Sequence, residues 1–428
     1  MTHPAYIIGV LDNGVHGITP EALEYIQQAD VVIGAKRTLD LFSNEFKPSV
    51  HAKDLGEGLR KAPEWIKAAK SDELAVVVLA TGDPLCHGIA HYLQTKLDDG
   101  ACRIIPNVST LQVAFARLGL VWQKAAIRSV HSKDAGEWSL DAGPEHGLYP
   151  VLEAIRHHDF IAIFTSPENS PDRIARMLIA AGLKTAFKLS VAQNLLTEQE
   201  QVVVDITLEQ AAEQHFSEPN VVVLQRCEFN QPLLFGMDDQ RFTQRKPEKG
   251  LITKREVRAV SLARMQLHCT SIVWDIGAGS GSVGLEAAKL ASYGYVYAIE
   301  KNEGDVMNAR QNREKMAITN YRIQHGKAPE LIDGWADPDA IFIGGSGGEL
   351  AELIELSLSR LNSNGWLVMN FVTIENLTLA TQTLKDLNAV WDVTQLQASR
   401  SQPILHMHRM QAENPVWIVS AQRRLEHE

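Results

Sequence analysis

The chain has 428 residues and a formal net charge of −11 at pH 7, with a composition that is ordinary for a globular protein. The length allows two or three domains, and the acidic balance argues against a general nucleic-acid binder, which displays a basic face. The four cysteines lack the CxxC spacing of a zinc site, and we find neither a signal-peptide pattern nor an apolar run of membrane-helix length. We therefore expect a cytoplasmic protein that binds no metal, nucleic acid or membrane.

The first half of the chain alternates short apolar strands with amphipathic helices, which predicts an α/β fold with parallel sheets and helices on both faces. Strands are expected at residues 6–10, 31–34, 74–80, 102–106, 127–130, 160–165, 188–192 and 220–226. Helices are expected at 20–29, 87–97, 151–157 and 171–181. We interpret residues 1–235 as one domain of two lobes, about 1–112 and 113–235, with a cleft between them.

The second half contains a further α/β domain after a polar segment. Residues 236–250 are charged and show no apolar period, so we interpret them as a linker. The domain at 251–428 begins with an amphipathic helix at 254–267. Its later strands are expected at 321–324, 340–344, 366–371, 391–396 and 416–421. The last two have no obvious helix between them and are expected to pair antiparallel.

The most informative segment is the turn at 275–282 (DIGAGSGS), which follows an apolar strand. Its glycines let the backbone approach a ligand closely, and the helix that follows favours a polar or anionic group at its N-terminus. A second apolar strand ends at Glu300, whose carboxylate can accept hydrogen bonds from both hydroxyls of a ribose. This pattern predicts a nucleoside site that favours S-adenosylmethionine.

Two alternatives stay open for this turn. Residues 279–284 (GSGSVG) also fit the GxGxxG dinucleotide fingerprint, which would make the protein a NAD-dependent oxidoreductase. Asp275 argues against that, because an acid just before the glycines suits a sulfonium or amino group better than a pyrophosphate. A glycine-rich turn without a ligand is the second alternative.

Several motifs along the chain carry a family resemblance. In the first domain they are 31–37 (VVIGAKR), 81–85 (TGDPL) and 108–111 (VSTL). In the second they are 252–258 (ITKREVR), 275–282 (DIGAGSGS), 343–348 (IGGSGG) and 414–417 (NPVW). Together they resemble the fused precorrin-6Y C5,15-methyltransferases (decarboxylating) of the cobalamin pathway, and the resemblance covers essentially the whole chain.

The resemblance implies two methyltransferases of different fold, each with its own S-adenosylmethionine site. The first would be a two-lobed tetrapyrrole methylase that methylates carbon 5 of the macrocycle. The second would be a Rossmann-like class I methyltransferase that methylates carbon 15 and decarboxylates the ring C acetate side chain, giving precorrin-8X from precorrin-6Y. It also implies a homo-oligomer, and it leaves open whether the substrate carries cobalt, as in the anaerobic route.

By the same resemblance, S-adenosylmethionine would contact a defined set of residues in each domain. In the first domain these are Thr81, Gly82, Asp83, Cys86, Ser109 and Thr110, with Thr165 as a further candidate. In the second they are Thr253, Gly277, Ala278, Gly279, Ser280, Gly281, Glu300 and Ala328. Two local alternatives stay open: residues 82–84 also suit a plain turn, and Ser109 and Thr110 also suit a helix cap.

Three positions differ from the pattern usual in the family. Lys327 stands where an aspartate lies near the adenine, Leu11 replaces an early glycine, and Lys133 replaces an arginine. Lysine cannot accept the adenine amino proton, so another group must do so. The changes at Leu11 and Lys133 lie in the first domain, so a non-catalytic tetrapyrrole-binding scaffold stays open as an alternative for that domain.

Basic residues are the candidates for binding the carboxylates of the substrate. Lys254, Arg255 and Arg258 lie near the expected cofactor residue Thr253. The loop that contains Gly345, Ser346 and Gly347 follows a strand, where α/β sheets place substrates, and it has room for a flat macrocycle. A plain turn before the next helix is the alternative.

No nucleophile or catalytic triad is recognisable in the sequence, so the catalytic residues stay unknown. Methyl transfer needs mainly alignment of the reacting carbons. His131, His406 and His408 are candidates for a general base, and His406 and His408 would share one strand face if that segment is extended. A structural role is the alternative for each.

Overall fold

The computed structural model describes residues 4–131, 133–227, 233–245 and 252–424. Ser132 lies outside the described residues, and so do residues 246–250 of the expected linker. The chain divides into two compact units. The first unit comprises Met1–Trp138, His146–Ile179 and Lys184–Glu228, and the second comprises Ser139–Glu145, Ala180–Leu183 and Phe229–Glu428.

The first sheet of unit one is fully parallel, as the strand–helix alternation predicts. Its strands are β1 (Ala5–Val10), β2 (Val31–Gly34), β3 (His51–Asp54), β4 (Val76–Thr81) and β5 (Cys102–Ile105), in the order β3-β2-β4-β1-β5. Its helices are α1 (Pro20–Gln28), α2 (Lys36–Leu41), α3 (Ala62–Ser71), α4 (Ile89–Gln94) and α5 (Thr110–Leu118). The central strands are apolar on both faces because one face packs on α3 and α4 and the other on α1 and α2.

The second sheet of unit one is mostly antiparallel, so the prediction of parallel sheets throughout is wrong here. Its strands are β6 (Ala126–Ser129), β7 (Phe160–Phe164), β8 (Phe187–Gln193), β9 (Gln201–Ile206) and β10 (Asn220–Arg226), in the order β6-β7-β10-β8-β9. Only β6 and β7 pair parallel. The helices are α6 (Tyr149–His157), α7 (Pro171–Ala180) and α8 (Leu208–Ala212). A short turn joins β8 to β9 without a crossover helix, which only antiparallel neighbours allow.

Unit two is built on a seven-stranded sheet in the order β13-β12-β11-β14-β15-β19-β16. The strands are β11 (Ile272–Ile276), β12 (Tyr295–Glu300), β13 (Tyr321–His325), β14 (Ala340–Ile343), β15 (Trp366–Phe371), β16 (Val390–Leu396) and β19 (Val416–Gln422). The helices are α9 (Arg255–Arg264), α10 (Ser282–Leu290), α11 (Glu303–Lys315), α12 (Leu350–Arg360) and α13 (Ile374–Asp386). The predicted antiparallel pairing of the last two sheet strands, β16 and β19, is confirmed. The strand order reverses between β11 and β14, and such a reversal opens a crevice at the carboxyl ends of the strands.

A two-stranded hairpin, β17 (Ser399–Ile404) and β18 (Met407–Ala412), stands outside this sheet and was not predicted. Leu405 and His406 form its turn, and Leu405 has a φ of 54° and is 91% exposed. His406 and His408 were expected to share a strand face only if their segment is extended, and this condition is not met, because His406 belongs to the turn and His408 to β18. Among the described residues, no helix is long and apolar enough to cross a membrane.

A buried ion-pair network centred on Arg258 holds unit two together. The Arg258 side chain has no exposed surface, and it donates to Glu286 (Nε–Oε1, 2.8 Å), to Asp239 (Nη1–Oδ1, 3.1 Å) and to two backbone carbonyls. Arg400 of β17 binds the other oxygen of Asp239 at 2.9 Å. The expected role of Arg258 in substrate binding is therefore wrong, because protein acceptors occupy its guanidinium and no surface is left for a ligand.

Part of the segment interpreted as a linker contributes to the same core. Met237 and Phe242 are buried in the hydrophobic core of unit two, and the Phe242 ring lies 4.9 Å from the Arg258 guanidinium. The backbone N–H groups of Gly236 and Met237 donate to the Glu286 carboxylate at 2.7 and 3.0 Å. Asp239 and the backbone of this segment thus pair with the buried charges of Arg258 and Glu286, whereas Asp238, Gln240 and Arg241 are exposed.

Replacing Arg258 by methionine leaves the buried Glu286 carboxylate without its counter-ion. We expect the free energy of unfolding of unit two to fall by about 3–5 kcal/mol. The neighbouring Arg255 is half exposed and its ion pairs are 3.7 Å long. R255M is therefore the matched control, and it should lower the free energy of unfolding by less than about 1 kcal/mol. Urea denaturation followed by tryptophan fluorescence measures both, and equal small losses would contradict the structural role.

Candidate cofactor and substrate sites

The glycine turn after β11 is held against the loop after β14. Gly277, Gly279 and Gly281 all have positive φ, at 71°, 55° and 77°. A Cβ on Gly277 would lie 2.5 Å from the carbonyl oxygen of Gly345, which is closer than any side chain permits. The two loops therefore meet backbone to backbone at the reversal point of the sheet, and they form one wall of a cavity.

Glu300 at the end of β12 stabilises this turn through hydrogen bonds to its backbone. One carboxylate oxygen accepts the Gly279 N–H at 2.9 Å and the other accepts the Asn302 N–H at 2.9 Å. Each oxygen keeps a second lone pair, and the carboxylate lines the cavity. The site therefore fits a nucleoside, because two acceptors lie where a pair of ribose hydroxyls could donate.

Four backbone amides of the glycine turn donate hydrogen bonds within the protein. Gly277 and Ala278 donate to the carbonyl of Ile299 at 3.0 and 3.1 Å, and Gly281 donates to Ala278 at 2.8 Å. Gly279 donates to the charged Glu300. These four amides are therefore not available to a pyrophosphate, which binds through free N–H groups.

The structure brings together seven of the residues predicted for this site. The cavity is lined by Gly277, Gly279, Glu300, Ala328, Gly345, Ser346 and Gly347. The other candidates, which are Thr253, Lys254, Arg255, Ala278, Ser280 and Gly281, are not part of the lining that the structure describes. Ala278 and Gly281 instead shape the turn, and Ser280 is buried beside it.

Besides Glu300, four charged residues of the described chain lie around the same cavity, and of these only Lys327 was singled out from the sequence. Arg245 and Asp305 form a two-pronged ion pair with distances of 2.6 and 2.9 Å. Lys301 and Lys327 also line the cavity, and Lys327 pairs with Glu349. No sequence signal linked Arg245 to Asp305, because the fold alone brings the two residues together.

Asp275 lies beneath the turn and not in the cavity. It is fully buried, and its Oδ2 accepts the Gly284 N–H at 3.0 Å. Burial raises the pKa of Asp275 to about 7. The expectation that this acid faces a sulfonium or amino group is therefore wrong. Its Oδ1, like the buried hydroxyls of Ser280 and Tyr321, has no hydrogen-bond partner in the described part of the chain.

A second cavity lies within unit one, between its two sheets, with a volume of about 360 Å³. This size lies within the usual range of small-molecule sites. Of the predicted cofactor residues, Thr81, Cys86 and Thr110 line it, together with Thr165. Gly82, Asp83 and Ser109 are neighbours of these residues in the chain but are not part of the lining that the structure describes.

The plain turn at residues 82–84 and the helix cap at Ser109, which were the two local alternatives, are both confirmed. The Asp83 carboxylate accepts the Leu85 N–H at 2.9 Å, and Gly82 has a φ of 72°. Ser109 caps α5 in a capping box with Gln112. A Cβ on Gly9 would lie 2.4 Å from the Gly82 carbonyl, so the ends of β1 and β4 must approach closely. Cofactor contact by Asp83 and Ser109 stays a prediction.

The chain matches two family descriptions, one after the other. Residues 5–212 match the tetrapyrrole (corrin/porphyrin) methylases, and residues 247–423 match the precorrin methyltransferase domain. A relative from Sinorhizobium sp., named precorrin-6Y C(5,15)-methyltransferase (decarboxylating), is 30% identical over 379 residues, which are 86% of this chain and 84% of the relative. The chain belongs to this family.

Other relatives of the family match part of the chain. A cobalt-precorrin-6B C(15)-methyltransferase (decarboxylating) from Salmonella typhimurium is 40% identical over 177 residues, which are 41% of this chain and 91% of the relative. The solved structure of a precorrin-6Y C5,15-methyltransferase from Geobacter metallireducens is 37% identical and covers 46% of this chain and 100% of its own, with a TM-score of 0.43.

Membership of the precorrin-6Y C5,15-methyltransferase family gives the enzyme class. The chain is an S-adenosylmethionine-dependent C-methyltransferase that combines methylation with decarboxylation in cobalamin biosynthesis. The resemblance found in the sequence is confirmed, and the oxidoreductase alternative is wrong.

The close contact at Gly277 leads to a first prediction for this site. G277A must push the loop after β14 away, so we expect affinity for S-adenosylmethionine in unit two to fall by at least about 10-fold, or about 1.4 kcal/mol. Gly334 is exposed, and a Cβ there would meet no atom within 4 Å, so G334A is the control. Isothermal titration measures both variants, and unchanged binding in G277A would contradict the geometry.

The buried Asp275 predicts an unusual dependence of stability on pH. Its pKa is raised from 3.8 to about 7 in the folded protein, so the folded state keeps a proton that the unfolded chain releases. Ionisation therefore destabilises the fold, and stability should fall as pH rises from about 4 to about 7. D275N keeps an acceptor for Gly284 but cannot ionise.

The difference in unfolding free energy between D275N and the wild-type chain measures this effect. It should grow in favour of D275N between pH of about 5 and about 8, by on the order of 3 kcal/mol. A difference that is constant across this range would show that Asp275 does not hold a proton in the fold.

Proposed function

We propose that this chain methylates carbons 5 and 15 of precorrin-6Y and removes the carboxyl group of the ring C acetate side chain, giving precorrin-8X. The observation that carries the proposal is the match to the Sinorhizobium relative of that name over 84% of its length. Both halves of the chain take part in that match, since it spans 86% of the residues.

The two activities are divided between the two units in this proposal. Unit one, with its tetrapyrrole methylase match, methylates carbon 5, and unit two methylates carbon 15 and carries out the decarboxylation. The Salmonella relative supports the division, because it is named for carbon 15 and decarboxylation alone and aligns with only 41% of this chain.

Each unit holds one S-adenosylmethionine in this proposal. In unit two, Glu300 accepts the ribose hydroxyls, while Gly277 and Gly279 let the ligand lie against the backbone. In unit one, Thr81, Cys86 and Thr110 line the cavity. When bound, the cofactor supplies an electrophilic methyl group, so the protein mainly aligns the reacting carbons.

The loop after β14 provides the substrate side of the cavity in unit two. A Cβ on Gly345 would meet no atom within 4 Å, so this position leaves space for a flat macrocycle. Lys301 lines the same cavity and is the basic partner that we propose for a substrate carboxylate in place of Arg258. The macrocycle itself accepts the electron pair that decarboxylation releases.

One reaction tests the proposed function. Purified chain with precorrin-6Y and methyl-labelled S-adenosylmethionine should transfer two methyl groups and release one carbon dioxide per macrocycle. E300Q removes the charged acceptor and should weaken the cofactor site of unit two by about 10- to 100-fold. Its thermal unfolding is measured alongside. No methyl transfer by the wild-type chain would refute the proposal.

The metal state of the substrate is tested in parallel. The full-length Sinorhizobium relative has no cobalt in its name, whereas the shorter Salmonella relative has. We propose the metal-free substrate because the match to the Sinorhizobium relative spans more of this chain. A kcat/KM that is higher with the cobalt-containing substrate would reverse this choice.

We also propose a homo-oligomer that works in the cytoplasm. The hairpin of β17 and β18 supports assembly, because it exposes Ile404, Leu405, Met407 and Met410. The four cysteines are all free thiols, which suits a reducing compartment. Sedimentation of the purified chain should give a mass above that of one copy, and a monomer would contradict this proposal.

A further inference from the structure

His131 lies two residues after the end of β6 and lines the cavity of unit one. The residue is exposed, so a ligand can reach its ring. The same cavity contains Thr81, Cys86 and Thr110, which we propose as cofactor residues. An accessible imidazole therefore lines the cavity in which we propose that S-adenosylmethionine binds.

A single hydrogen bond decides which ring nitrogen of His131 carries the proton. Its Nδ1 lies 3.0 Å from the backbone carbonyl oxygen of Thr165. A carbonyl can only accept, so in this contact Nδ1 must be the donor. In the neutral ring, Nε2 then has a free lone pair, which is the form that a general base needs.

The partner of His131 is held rigidly. Thr165 is buried, and its hydroxyl donates to the backbone carbonyl of Asn220 at 2.8 Å. The Asn220 side chain is buried as well and donates to Glu218 at 3.0 Å and to the Ser217 carbonyl at 3.1 Å. A continuous chain of contacts thus runs from His131 to Glu218, and both ends line the same cavity.

Glu218 has the properties of a partner for a protonated imidazole. Desolvation raises the pKa of its carboxyl above the ordinary value, against smaller opposing effects of the Asn220 hydrogen bond and the charge of His131. The carboxyl and the imidazole line one cavity and are joined through Thr165 and Asn220. When the ring takes up a proton in the reaction, a carboxylate in the same cavity can stabilise the new positive charge.

The proposed reaction at carbon 5 requires a base. The new carbon–carbon bond forms as the carbon–sulfur bond of the sulfonium breaks, which leaves a thioether and a tetrahedral ring carbon with both a methyl group and a hydrogen. Loss of that hydrogen as a proton returns the electron pair of the C–H bond to the conjugated system. No oxidant or further reactant is needed.

We propose that Nε2 of His131 is the general base that removes this proton, and that Glu218 stabilises the imidazolium so formed. This inference rests on the proposed function. Other polar groups of the cavity are less suited. Asp12 is paired with Arg37 at 2.6 Å, and desolvation raises the pKa of the Cys86 thiol. His87 packs its ring against Phe164, with centroids 5.9 Å apart.

The test uses the full chain, precorrin-6Y and substrate deuterated at carbon 5. H131N can still donate to the Thr165 carbonyl but has no base at the Nε2 position. We expect its rate of carbon 5 methylation to fall by about 100- to 10,000-fold, with affinity for S-adenosylmethionine unchanged. The deuterium isotope effect should increase, because proton removal becomes rate-limiting. Added imidazole should restore part of the rate in H131A.

His51 provides the matched control. It is exposed on β3, the edge strand of the first sheet, outside the cavity lining, so H51N should methylate at the wild-type rate. Wild-type rates in H131N would overturn the inference and leave the proposed function intact. A slow H131N without a larger isotope effect, or an H131A that imidazole does not rescue, would also overturn it. Failure of the wild-type chain would refute the proposed function instead.

Discussion

The close approach of two backbone loops is the constraint on which the site of unit two depends. Gly277 follows β11 and Gly345 follows β14, and no side chain at Gly277 would fit between them. The contact places the loops on either side of the point where the strand order reverses. Beside this contact the Glu300 carboxylate lines the cavity, and four amides of the glycine turn donate within the protein. One packing requirement thus shapes the site at which we propose that S-adenosylmethionine binds.

In unit one, too, a close contact of two backbone segments lies beside the cavity, but side chains supply the polar groups. A parallel sheet and a mostly antiparallel sheet face a shared cavity, and the close contact there is between Gly9 and Gly82. Its polar groups are side chains whose hydrogen bonds come from the second sheet, as with Thr165 and Asn220. The fixed tautomer of His131 results from this network. A sheet with antiparallel neighbours can bring these side chains to one edge without crossover helices.

The positive charge of a basic residue did not predict whether it is buried in an ion pair or exposed. Arg258 and Arg255 lie on the same short helix, yet one is fully buried in an ion-pair network and the other is half exposed. The difference comes from acceptors that are distant in the chain, namely Asp239 and Glu286. The segment around Asp239 was interpreted as a linker because it is polar, yet Asp239 itself is buried and pairs with Arg258 and Arg400 in the folded unit.

By itself, the sequence determined the α/β class, most strands, the glycine turn with Glu300 and the family, because these depend on local periodicity and on short motifs. Tertiary structure decided the antiparallel pairing of the second sheet, the hairpin turn at Leu405 and the burial of Asp275 and Arg258. It also decided which candidates line a cavity. Those properties depend on contacts between residues far apart in the chain, and neither spacing nor composition records such contacts.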